Sequence, residues 1–172
     1  MIYWISQIIG FIAFIVSLIA YHRKEKKNIF KNMILCNILK LIHYLLLNAY
    51  SGCITKLIAL FRDCFVLYKE KHPKLSNKIF LIIFLIIYVI AAIFTYDGIF
   101  SILPIVAAIF YIIFIWNGDE LTIKKAAFFS YFLWLFYNIF VLSIAGIVSS
   151  VVSIISTFIA IKNYKKGVDF NG

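Results

Sequence analysis

Residues 79–95 read IFLIIFLIIYVIAAIFT, an apolar run without a single charge. As a helix rising about 1.5 Å per residue, such a run crosses most of the roughly 30 Å hydrocarbon core of a bilayer. Residues 2–21, IYWISQIIGFIAFIVSLIAY, do the same. With 65% hydrophobic and 14% charged residues and a mean hydropathy of +1.02, the chain has too little polar surface to cover a water-soluble core. The first run has no basic residue ahead of it and no small-residue cleavage site behind it, so it is expected to stay in the mature protein rather than act as a signal peptide. The composition therefore predicts an all-α integral membrane fold.

Apolar blocks fall at 2–21, 32–49, 53–68, 79–95, 99–116, 126–144 and 147–162, which predicts seven transmembrane helices. The connections alternate between polar and nearly bare: HRKEKKNIFK, AYSG, KEKHPKLSNK, YDG, NGDELTIKK, AG, and the tail KNYKKGVDFNG. Of the 17 Lys and Arg residues, all but Lys40, Lys56 and Arg62 fall in the long connections and the tail, on one side of the seven-span plan. The positive-inside rule makes that side the cytoplasm, with the amino terminus outside and the carboxyl terminus inside. This segregation also accounts for the net charge of +10 without nucleic acid as a partner. Cys36, Cys53 and Cys64 form no ligand spacing, so no metal or other cofactor is expected.

A shift of 94 residues lays IHYLLLNAYSG (42–52) on FYNIFVLSIAG (136–146), Gly10 on Pro104, Ala13 on Ala107 and Lys31 on Lys125. The order of features repeats: span, basic loop, span, bare turn with a glycine, span, basic end. Three spans plus one connecting span restore the original orientation, so the halves are read as parallel repeats. The single membrane domain, 1–172, then divides into a first three-helix repeat (2–68), a connecting helix (79–95), a second three-helix repeat (99–162) and a cytoplasmic tail (163–172).

Charges inside spans are expensive and mark function or pairing. On helices two and three, Lys40, Arg62 and Asp63 fall at similar depth, and Asn37, Lys40 and His43 form one polar stripe at three-residue spacing. Asp63 is expected to pair with Lys40, or with Arg62 if their side chains converge. Arg62, its neighbour, diverges from it by about 100° around the helix and is expected to face elsewhere. His43 corresponds in the second half to Tyr137, beside Asn138. The candidate cavity-lining residues are therefore Asn37, Lys40, His43, Arg62, Asp63, Tyr137 and Asn138. The blander reading makes Lys40 and Asp63 a packing pair, lets Arg62 snorkel inward and Lys56 outward, and leaves His43 as a satisfied donor. Ser149, Ser150, Ser153, Ser156 and Thr157 suit close helix packing.

The 3+1+3 plan resembles the MtN3-like superfamily of SWEET sugar facilitators and PQ-loop transporters. At closer range YWISQIIGFIAFIVSLIAYHRKEKK, HYLLLNAYSGCITKLIALFRD, the Leu103–Pro104 pair and YNIFVLSIAG resemble the YgjV family of bacterial inner-membrane proteins. The resemblance implies two three-helix halves around a central cavity, with Gly10 and Pro104 at matching places as hinge candidates. Sugar facilitators carry hinge prolines in both halves, whereas this chain has Pro104 alone within a span.

Two functions compete. One is a carrier or facilitator of a small polar solute, working by alternating access in the bacterial inner membrane. The other is a non-transporting scaffold or regulator acting through the basic cytoplasmic loops. Beyond the lipid bilayer and a solute, a second copy of the chain is a candidate partner. An enzyme is not expected, since the sequence has no HExxH, no phosphate-cradling glycine loop and no Ser/His/Asp set at one depth.

Overall fold

The computed structural model describes residues 1–21, 26–71, 78–117 and 120–165. Among these residues the chain is all-helical, with seven helices: α1 (Ile2–Tyr21), α2 (Lys26–Leu46), α3 (Tyr50–Lys71), α4 (Lys78–Phe94), α5 (Ile99–Asn117), α6 (Glu120–Phe140) and α7 (Ile144–Lys165). Arg23, Lys24, Lys74, Lys166 and the rest of the tail lie outside the described residues. The helices match the apolar blocks in number and order but not at their ends. Helices α2 and α6 begin inside the basic connections, where hydropathy sees only polarity. Lysine and glutamate are good helix formers, and long stems let their charges reach water from a helical turn.

Two of the three bare turns, those that end α2 and α6, are copies of one motif. Asn48 (φ 56°) and Leu142 (φ 53°) both adopt the left-handed conformation. At the first turn Ala49 N–H donates to Tyr44 O at 2.9 Å and Asn48 N–H to Leu45 O at 3.0 Å. At the second, Ser143 N–H donates to Asn138 O at 2.9 Å and Leu142 N–H to Ile139 O at 3.2 Å. This is the Schellman pattern, which satisfies the last carbonyls of a helix. The glycines expected in these turns lie elsewhere: Gly52 and Gly146 sit in the first turns of α3 and α7. Their role is close approach. A Cβ on Gly52 would lie 2.7 Å from the Tyr137 ring, and one on Gly146 would collide with Asn138 and Ser143.

Helices α1, α2 and α3 pack in sequence, as do α5, α6 and α7. The two sets meet where α1 touches α7 and α3 touches α5, and α4 lies against α3 and α5. Hydrogen bonds recur at the 94-residue offset. Cys36 Sγ–H donates to Ala13 O at 3.4 Å and Ser130 Oγ–H to Ala107 O at 3.0 Å, tying α2 to α1 and α6 to α5 at equivalent positions. Likewise Gln7 Oε1 accepts from Ala145 N–H at 3.0 Å, while at the equivalent pair Ser101 O accepts from the Ser51 hydroxyl. Ala13 and Ala107 are fully buried, so small residues set both helix contacts.

An apolar core forms between α3, α4 and α5 around Ile58, Phe84, Tyr88, Ile105 and Ile112. The other faces of α4 expose Ile82, Ile83, Ile86, Ile87, Ile90 and Ile93. A surface of this kind suits lipid rather than water. Among the described residues, the segments Ile2–Ile19 and Ile144–Tyr164 are long and apolar enough to cross a membrane. Lys78–Phe94 and Ile99–Phe114 are shorter apolar stretches.

Candidate functional site

The contacts between the two sets of helices leave a cavity of about 130 Å³. Asn37 and Lys40 of α2, Lys56 and Arg62 of α3, Tyr88 of α4, Tyr111 of α5 and Trp134 of α6 reach it, and Ala59, Ala107 and Ala108 make its apolar wall. A smaller extension of about 70 Å³ continues past Lys40, Lys56 and Trp134 to His43, Asn138, Ser149 and Ser150.

Asp63 is buried behind this wall with both oxygens engaged. Arg62 folds back onto it, placing Nη2 at 2.9 Å and Nε at 3.0 Å from Oδ1. Asn37 Nδ2–H donates to Oδ2 at 2.7 Å. The expected Lys40–Asp63 pair is thus replaced by Arg62–Asp63. Two adjacent Cα–Cβ bonds diverge on a helix, but the guanidinium fork is long enough to return to its neighbour's carboxylate. Arg62 also lies over the Tyr111 ring, 5.8 Å from its centroid.

Lys40 faces the interior, where it borders both spaces. Lys56 does not snorkel outward. Its Nζ sits 3.8 Å from the centre of the Trp134 ring, a cation–π contact inside the bundle. Among the described residues neither ammonium has an ion-pair partner, and Asp63 is already committed to Arg62 and Asn37. An unpaired charge held in a low-dielectric interior costs several kcal/mol, more than a cation–π contact of about 2 kcal/mol returns.

Toward the bare turns the cavity is closed by a hydrogen-bonded layer. His43 Nδ1 lies 2.7 Å from Ser6 O, and a carbonyl can only accept, so the ring donates there. In the neutral ring Nε2 then accepts from the Ser143 hydroxyl at 2.7 Å. The Tyr44 hydroxyl donates to Asn138 Oδ1 at 2.8 Å, and Asn138 Nδ2–H donates to Ser150 Oγ at 3.1 Å. Gly52 N–H donates to the Tyr137 hydroxyl oxygen at 2.8 Å. Beyond this layer a recess of about 400 Å³ is lined by the turns that end α2 and α6 and by Tyr96 and Asp97.

The structure thus brings Asn37, Lys40 and Arg62 together on the main cavity. Asp63 stands behind them as an anchor, and His43 and Asn138 border only the extension, with their polar atoms already bonded. Tyr137 borders the recess on the far side and not the main cavity. Gly10 serves packing: a Cβ there would lie 2.7 Å from Ala145 Cβ and 2.9 Å from the His43 ring. Pro104 is fully buried in α5. The sequence reading missed Tyr88, Trp134 and the inward turn of Lys56. The signal for Lys56 was present, since with Lys40 and Arg62 it lies inside an apolar block rather than on a block's last residue, as Lys162 does.

Comparison with curated proteins gives no match, and neither does comparison with solved structures. The model of the Imp-YgjV family, described as a bacterial inner membrane protein, matches residues 4–167. With nearly the whole chain covered, the protein belongs to the Imp-YgjV family of bacterial inner membrane proteins.

Proposed function

We propose that the chain is a seven-pass carrier or facilitator of a small polar solute, with its amino terminus outside, built as two parallel three-helix halves joined by α4. Placement beside the SWEET and PQ-loop transporters belongs to the same reading. The observation that carries it is the central cavity: it sets Asn37, Lys40, Lys56 and Arg62 on an otherwise apolar lining, is bounded by helices of both sets, and is closed at one end by a hydrogen-bonded layer that crosses between them. Recurrence of hydrogen bonds at the 94-residue offset supports a pseudo-twofold relation between the halves. If that layer opens while the opposite end closes, a solute reaches the same residues from either side, which is alternating access.

The experiment is uptake into proteoliposomes holding the purified full chain, offered isotope-labelled succinate, glucose and lysine in turn. Saturable uptake of at least one, above protein-free vesicles, is expected. A folded, correctly inserted protein that moves none of the three would overturn the carrier reading in favour of a scaffold acting through the basic loops.

A further inference from the structure

We infer that the cavity binds a small organic anion of the carboxylate class, held by Lys40 and Lys56. This rests on the carrier reading for its transport but not for its binding. The cations at the cavity outnumber the carboxylates. Lys40 and Lys56 have no ion-pair partner among the described residues, and the buried Tyr88 hydroxyl, on the same cavity, has no hydrogen-bond partner. The apolar blocks supply no second carboxylate. Asp63 is the only acidic residue inside the apolar blocks, and Arg62 and Asn37 occupy both its oxygens.

Two lysine side chains facing one low-dielectric space can both hold their charge only when an anion joins them. A cationic solute would be repelled, and a neutral polyol would accept from Tyr88 while leaving both charges uncompensated. The rest of the lining favours a carbon skeleton over an inorganic ion: Ala59, Ala107 and Ala108 form an apolar floor, and Trp134 presents its ring beside Lys56. The volume of about 130 Å³ limits the skeleton to a few carbons.

Trp134 supplies a reporter. With Trp4→Phe and Trp116→Phe it is the only indole left. Quenching of its fluorescence lifetime by iodide, an anion, is compared with quenching by neutral acrylamide in the full chain in detergent. Lys40→Met leaves the Lys56–Trp134 contact in place and should lower the iodide constant about tenfold, the lower end of what a charged cleft does to local counter-ion concentration. Acrylamide quenching should not change, and Lys40→Arg should keep the iodide response. Succinate should protect Trp134 from iodide at constant ionic strength, while glucose, lysine and phosphate should not. Iodide quenching indifferent to Lys40, or protection by glucose, lysine or phosphate in place of succinate, would overturn the inference. Protection by succinate without its uptake into proteoliposomes would uphold the site and sink the carrier reading.

Discussion

The Tyr44 hydroxyl donates to Asn138 Oδ1 at 2.8 Å, and the two residues stand 94 apart, the offset at which the chain's hydrogen bonds recur. A residue that touches its own counterpart lies where a twofold axis would pass. Both residues are buried, and the bond joins α2 to α6. Any displacement of α2 against α6 would therefore break it.

Tyr44→Phe leaves a buried amide oxygen without its donor. It is expected to destabilise the protein by about 1–2 kcal/mol, read as a lower melting midpoint in detergent. Asn138→Leu should cost at least as much, because it also abandons Ser150. The double variant should lose less than the sum of the two. Strict additivity would mean the bond contributes nothing to the closed layer.

The sequence displays an order of features, basic loop, bare turn and small residues, and the hydrogen bonds of Cys36 and Ser130 recur at the same 94-residue offset. Helix number was readable because continuous apolar runs have one physical use. The left-handed residues were not. Glycine is the usual choice for that conformation, but Asn48 and Leu142 adopt it while Gly52 and Gly146 make room for Tyr137 and Asn138. The ion pairing was misread for a similar reason. Periodicity places Cβ atoms, whereas a long guanidinium decides its partner beyond the Cβ.

Leu142 holds φ 53° with a branched apolar side chain, a conformation costing roughly 1–2 kcal/mol for an ordinary L-residue. Asparagine, which fills the equivalent place at Asn48, adopts it at lower cost. Leu142→Asn is expected to stabilise by about 1 kcal/mol, raising the melting midpoint by about 2–4 °C. Asn48→Leu should shift it the other way. A lowered midpoint for Leu142→Asn would mean that contacts of the exposed leucine outweigh its backbone strain.

Topology follows from the segregated basic residues. In a chain freed of Cys36, Cys53 and Cys64, a cysteine at Asn48 or Asp97 should react with a membrane-impermeant maleimide on intact spheroplasts. One at Lys124 should react only after permeabilisation. Labelling of Lys124→Cys from outside would reverse the orientation, and labelling of all three would remove the seven-pass plan.

Arg62 and Asp63 form a pair that their burial makes obligatory. Asp63→Asn leaves the guanidinium unpaired beside the cavity and is expected to cost about 3–5 kcal/mol, seen as loss of folded, membrane-inserted protein. Arg62→Met is milder, because Asn37 still donates to Asp63 at 2.7 Å. Arg62→Met combined with Asp63→Leu removes both charges and should restore folded yield to near that of the parent. Lys40→Met should leave yield and melting unchanged, since Lys40 has no ion pair to lose among the described residues. If Lys40→Met collapses the protein as Asp63→Asn does, then Lys40 and not Arg62 is the partner of Asp63 in the membrane, and the cavity carries one uncompensated ammonium fewer.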